Sequence, residues 1–180
     1  MNSISFNLSG KIDQETLSAL SALKNIADSL KIPFFIVGAT ARDVLLKHCY
    51  GIDSPRMTRD IDLAVEVADW EQFGKLTEAL KNSRKFAADR REPQRFRYDN
   101  IPIDIVPFGP ISDRDGKISW PPEHEIFMNM MGFQEAYQCS VTVRLRPYPE
   151  LDVKIPTLPG LALMKLISWD EKCPERKKDA

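Results

Sequence analysis

Three aspartates hold the most chemistry in this chain. In Thr58-Arg59-Asp60-Ile61-Asp62-Leu63-Ala64-Val65, the segment from Ile61 to Val67 reads as a strand, and strand side chains alternate between the two faces. Asp60 and Asp62 therefore project from one side, about 6 to 7 Å apart at Cα, while Ile61 and Leu63 turn to a core. Asp104, in Ile103-Asp104-Ile105-Val106, occupies an apolar stretch where a lone carboxylate is costly to bury unless paired, hydrogen-bonded or metal-bound. If the two strands are neighbours, the three acids converge on one site. Carboxylate oxygens suit hard cations such as magnesium, with manganese as a substitute. Two ions about 3.5 to 4 Å apart would activate a hydroxyl and bridge phosphate oxygens in an in-line displacement. That chemistry is phosphoryl or nucleotidyl transfer. Taken one at a time, the acids have ordinary readings: Asp60 as an ion-pair partner of Arg59, Asp62 as a solvated edge residue, and Asp104 on an edge strand, for which the flanking Pro102 and Pro107 speak.

Upstream, the apolar run Phe34-Phe35-Ile36-Val37 reads as a buried strand ending at Gly38, directly before a helical stretch from Thr40 to Lys47. A glycine there lets the backbone approach a ligand closely, and the first N–H groups of the helix offer an anion site suited to a triphosphate. Thr40 adds a hydroxyl donor. An isolated glycine can simply permit a tight turn; the order Gly38, then Asp60 with Asp62, then Asp104, each on or beside an apolar strand, is what favours a shared site.

The elements that must position these residues follow from periodicity. Leu17, Leu20, Leu23, Ile26, Ala27 and Leu30 recur at helical spacing from Gln14 to Leu30, with Asp13 as N-cap. Trp70, Phe73, Leu76 and Leu80 predict a helix over 70–80. Phe96 to Tyr98 and Ile101 to Val106 flank the turn signal Asp99-Asn100 and predict a hairpin. Met128 to Met131 and Val141 to Leu145 are further strand candidates, and a final helix is expected from Pro159 to Lys172, interrupted by Pro174. Alternating strands and helices followed by a hairpin predict an α/β (α+β) chain with a mixed β-sheet flanked by helices. One domain is expected over residues 1–180, with an N-terminal helix in 1–31, a catalytic core in 34–110 and a shortened C-terminal portion in 111–180.

Composition narrows the class. The chain has 180 residues, 43% hydrophobic and 28% charged, with a formal net charge of -1, so a disordered chain is excluded and no global field attracts nucleic acid. Three cysteines without a CxxC pair, and two histidines, argue against a disulfide framework or a zinc site. No apolar run is long enough to span a membrane, and a cytoplasmic location is expected. The stretch Arg84 to Arg97 carries +4 and the remainder -5. It leads into the Asp104 strand, where it could steer an RNA acceptor through phosphate contacts or serve only as a solvated basic loop.

Val37-Gly38-Ala39-Thr40-Ala41-Arg42-Asp43, followed by Asp60-Ile61-Asp62 and Ile103-Asp104-Ile105, resembles the DNA polymerase β-type nucleotidyltransferase superfamily, and within it the AbiEii/AbiGii toxin-like nucleotidyltransferases. The likeness runs from about Phe34 to the end. It implies a nucleotidyltransferase fold, phosphate contact at Gly38, Ala39 and Thr40, and magnesium held by Asp60, Asp62 and Asp104, with Asp104 also activating the acceptor hydroxyl. Arg42-Asp43 is similar to the Gly-Gly-x-x-Arg-Asp run of tRNA CCA-adding enzymes, implying ribose or phosphate positioning by Arg42; a surface ion pair is the other reading. Lys165, in Lys165-Leu166-Ile167-Ser168-Trp169, resembles a helical lysine that approaches the nucleotide phosphates in that family, with Arg176 a weaker match; a lysine snorkelling from the rim of the core is the other reading of Lys165.

The resemblance implies transfer of a nucleoside monophosphate from an NTP to a hydroxyl of RNA, such as tRNA, or of a protein, and membership of a toxin–antitoxin pair with an antitoxin partner. Ala39 departs from the family's usual Gly or Ser. That departure supports the alternative, a weakly active or inactive nucleotide-binding or interaction module of the same fold.

Overall fold

A computed structural model describes residues 4–52 and 60–176; the expected loop through Pro55, the Arg59 neighbour of Asp60 and the charged run from Lys177 lie outside them, as does the side chain of Arg176. The element order is β1 (Ile4–Asn7), α1 (Gln14–Ser29), β2 (Phe34–Ile36), α2 (Gly38–Asp43), β3 (Ile61–Glu66), α3 (Trp70–Asn82), β4 (Phe86–Ala88), β5 (Arg95–Tyr98), β6 (Ile101–Phe108), β7 (Lys117–Ser119), β8 (Phe127–Asn129), α4 (Phe133–Gln138), β9 (Val141–Pro147), β10 (Glu150–Ile155) and α5 (Leu158–Arg176). Eight strands form one mixed sheet in the order β1-β9-β10-β2-β3-β6-β5-β4, and β7 pairs with β8 separately.

Local chemistry explains the element ends. Asp13 accepts a 2.8 Å hydrogen bond from the Thr16 N–H and caps α1, a contact worth about 1 kcal/mol. Asp69 does the same for α3 through Gln72 N–H at 2.8 Å, and the Gln72 side chain reaches back to the Ala68 N–H at 2.7 Å. The helix expected from Thr40 starts earlier, at Gly38, and widens into a π-helix over Val44–Cys49. The last helix passes through Pro174 to Arg176, since a proline removes one N–H donor without necessarily ending the helix.

The two sheet faces differ. Asp62, Ala64 and Glu66 of β3 share a face with Asp104, Val106 and Phe108 of β6 and with Phe35 of β2, because these residues are in register. Towards one end of that face, Phe35 and Phe108 pack edge-on or tilted against Phe133 and Tyr137 of α4, at centroid separations of 5.4 to 6.4 Å. The other face presents Ile61, Leu63, Val65, Ile103 and Ile105, all buried. It is closed by α1 and α3, which contact each other, with α1 also touching β6.

Asp104 was expected to sit on an edge strand if it was merely exposed. Instead β6 lies between β3 and β5. Its prolines are tolerated for a positional reason. The Ile105 N–H donates to Gln94 on the β5 side, so the N of Pro107 points the same way, beyond the last paired residue of β5, Arg95 opposite Asp104. Pro102 points towards β3 but precedes the first β3 pair, Ile61 with Ile103. Neither missing N–H removes a ladder bond.

Candidate active site

The parallel pairing of β3 and β6 puts Asp62 directly opposite Asp104, on strands about 4.8 Å apart. Asp60 immediately precedes β3, and its charge, with that of Asp104, acts on Asp62. Burial is the main cause that pushes the Asp62 carboxyl up to about 6, and the two neighbouring carboxylates add to it; the Ala39 N–H and the Arg95 guanidinium pull the other way.

The turn after β2 is built around Asp62. Gly38 has φ +62°, and a Cβ placed on it would fall 2.8 Å from Asp62 Cγ and 3.0 Å from its Cβ. No other residue fits there without moving the carboxylate. The Val37 N–H donates to the Asp62 carbonyl at 2.9 Å, and the Ala39 N–H donates to Asp62 Oδ2 at 3.3 Å. The Thr40 hydroxyl donates to the Asp60 carbonyl at 2.5 Å. Glycine turn and acidic strand are thus tied together by three hydrogen bonds, two to backbone carbonyls and one to a carboxylate.

Arg42 donates from Nε and Nη2 to Asp43 Oδ1 at 2.9 and 2.7 Å, so this pair is an ion pair within α2. Lys165 stands exposed on α5, which packs on α4; Leu163 and Ile167 lie against Gly132, while Leu166 and Trp169 of the same helix are exposed.

Arg95, which in the sequence is one of six cations in the basic stretch Arg84 to Arg97, belongs to this site. It pairs with Asp104 across the hairpin and donates from Nε to Oδ1 and from Nη2 to Oδ2, both at 2.8 Å. Its Nη1 lies 2.9 Å from Glu92 Oε2. The signal was present: strands joined at Asp99-Asn100 with Tyr98 opposite Ile101 necessarily set Arg95 opposite Asp104. A row Arg95, Asp104, Asp62 therefore crosses three adjacent strands on one face.

The donor set is all carboxylate oxygen, the chemistry hard divalent cations take, and the mutual repulsion felt by Asp62 is what a bound cation would relieve. Among the described residues no three acidic, histidine or cysteine side chains already stand as a metal cage. Arg95 supplies the positive charge at Asp104. A separate cavity of about 410 Å³ is lined by Arg90, Arg91, Trp120, Glu123 and Glu125 among others, and none of the three acids lines it. Among the described residues, no helix is long and apolar enough to cross a membrane.

Comparison with solved structures finds similarity to the antibiotic-resistance factor ANT(2'')-Ia, at 17% identity over 89% of this chain and 75% of that one, with a TM-score of 0.48. Thermotoga maritima TM1012 is similar at 15% identity over 92% and 93% of the two chains, with a TM-score of 0.48. The Thermotoga maritima CCA-adding enzyme, solved with tRNA, is similar at 23% identity over 54% of this chain, with a TM-score of 0.36; the match spans only 22% of that enzyme. A comparison with curated proteins finds no match. Residues 20–178 match the family model described as nucleotidyl transferase AbiEii toxin, Type IV TA system. With this match over most of its length, the chain belongs to the AbiEii nucleotidyltransferase family.

Proposed function

We propose that the protein transfers a nucleoside monophosphate from an NTP to a hydroxyl acceptor, with Asp60, Asp62 and Asp104 holding magnesium and Gly38, Ala39 and Thr40 lying along the triphosphate. The observation that carries this reading is the register of Asp62 with Asp104, beside a turn whose glycine is required by the same Asp62 carboxylate. Family membership supplies the reaction class.

The cation, when bound by these carboxylates, neutralises phosphate charge and lowers the pKa of the attacking hydroxyl. The protein's own residues do the positioning. Gly38 keeps the turn close to Asp62, and the Thr40 hydroxyl fixes the backbone of Asp60, so both acids are set by backbone contacts before any substrate arrives. The aromatic packing of Phe35 and Phe108 against α4 holds the central strands that carry Asp62 and Asp104. Asp104 is the candidate for receiving the acceptor's proton, and Lys165 and Arg42 for contacts to phosphate or ribose.

The acceptor class includes a tRNA 3′ end, other RNA or a protein side chain, and an antitoxin partner accords with the family's description. Arg90 and Arg91, on the segment leading to Arg95, favour a polyanionic acceptor. Incubation with each α-labelled NTP, magnesium and total RNA tests the reading: label should enter RNA. Nucleotide binding without transfer to RNA or protein would favour the non-catalytic alternative.

A further inference from the structure

Asp104 has both carboxylate oxygens committed to one guanidinium. A bidentate pair of this kind takes one lone pair on each oxygen and sets a full positive charge against the carboxylate, so a cation approaching Asp104 meets a competing charge and binds through both oxygens at full strength only when the arginine gives way. The third arginine nitrogen is already bonded to Glu92, whose side chain is more exposed than that of Asp104, 44% against 20%. Arg95 therefore spans a sheltered carboxylate in the site and an outer one beside it, on the short loop that precedes β5.

From this geometry we infer that Arg95 is a built-in counter-cation that competes with the metal for Asp104, and that Glu92 receives the guanidinium when the metal enters. The inference rests on the metal-binding reading of the three acids and adds a positioning residue and its docking partner to it. Arg95 keeps the carboxylate row from carrying three uncompensated charges in the absence of metal, and sets the metal concentration at which Asp104 becomes available. Glu92 biases the exchange towards the open arrangement by offering the arginine an alternative acceptor.

Manganese titration of the full chain without nucleotide, followed by the paramagnetic signal of the free ion, tests this. Arg95→Met should bind manganese about tenfold more tightly than wild type, the scale of one lost competing charge-assisted contact. Arg95→Lys keeps the charge but cannot bind both oxygens at once, and its affinity should move towards that of Arg95→Met. Glu92→Gln, an isosteric change at a half-buried loop position that should leave folding intact, should weaken binding severalfold in the wild type and have no effect in the Arg95→Met background. Affinity unchanged or weakened in Arg95→Met, or a Glu92→Gln effect that persists without Arg95, overturns the competition. If Arg95→Lys binds like wild type, charge alone is acting and the two-oxygen clamp is wrong. The metal reading is checked separately by Asp62→Asn: manganese binding in wild type that this change abolishes sustains it, whereas no Asp62-dependent binding in any variant overturns both.

Discussion

A methyl group on Gly38 would collide with the carboxylate of Asp62, 2.8 Å from its Cγ and closer still to Oδ2. Two residues 24 positions apart in the chain are thus one structural unit. Gly38→Ala should cost about 1 to 2 kcal/mol from the positive φ alone, and should displace Asp62. A misplacement of about 1 Å can lower the rate about 100-fold. Urea unfolding and transfer assays on the same preparation check both effects; a variant with full activity would show that Asp62 needs no such clearance.

Asp62 makes the metal-free protein respond to pH in an unusual direction. Burial in the folded state pushes its carboxyl up to about 6 from the ordinary 3.8. Between these values the folded state retains a proton that the unfolded chain has released, so its contribution is fully present below about pH 4 and is lost as pH rises through about 6. The limit is about 3 kcal/mol, reduced by solvent screening at a half-buried site. Thermal melts in a chelator should show this loss in wild type. Asp62→Asn should flatten it and be the more stable protein at neutral pH; an unchanged profile would contradict the assignment.

The hydroxyl of Thr40 is the link between the glycine turn and Asp60. Thr40→Val should cost about 1 kcal/mol of stability and lower transfer about tenfold or more, because Asp60 loses a fixed position. Thr40→Ser should keep most of both, and a Thr40→Val variant as active as Thr40→Ser would assign the hydroxyl to packing alone.

Much of this site was legible before any coordinates, and what was missed has physical causes. Strand alternation placed Ile61 and Leu63 in the core, where they are buried, and the apolar run after Pro33 marked β2. The parallel β3–β6 register was not readable, because it depends on how a crossover through α3 aligns two strands far apart in sequence. Pro102 and Pro107 argued for an edge strand, since proline is read locally while its tolerance depends on where each neighbouring strand begins and ends. The role of Arg95 does not show in the net charge of its stretch; it lies in the hairpin register that the Asp99-Asn100 turn sets. The short elements β1, β4 and α4 have too little periodicity to stand out, whereas Leu151, Val153 and Ile155 of β10 alternate as a half-buried strand should, a legible signal that the strand candidates above do not include.

Phe108 closes the same strand that carries Asp104, four residues further on, and is fully buried against Phe35 and Tyr137. Phe108→Ala should cost about 3 to 5 kcal/mol, whereas Lys154→Met, which removes a cation held 4.2 Å from the Tyr137 ring, should cost about 0.5 to 1 kcal/mol. Denaturant midpoints at equal slope check the ranking. Equal losses would mean that the aromatic cluster is held more by its rim than by its centre.

The most direct measurement is label transfer from α-labelled NTPs by the full chain with magnesium, comparing wild type with Asp60→Asn plus Asp62→Asn. Wild type should label an RNA or protein acceptor, and the double variant, folded by the same melting criterion, should lose that transfer. Transfer that survives removal of both carboxylates would contradict their role as the metal-holding pair.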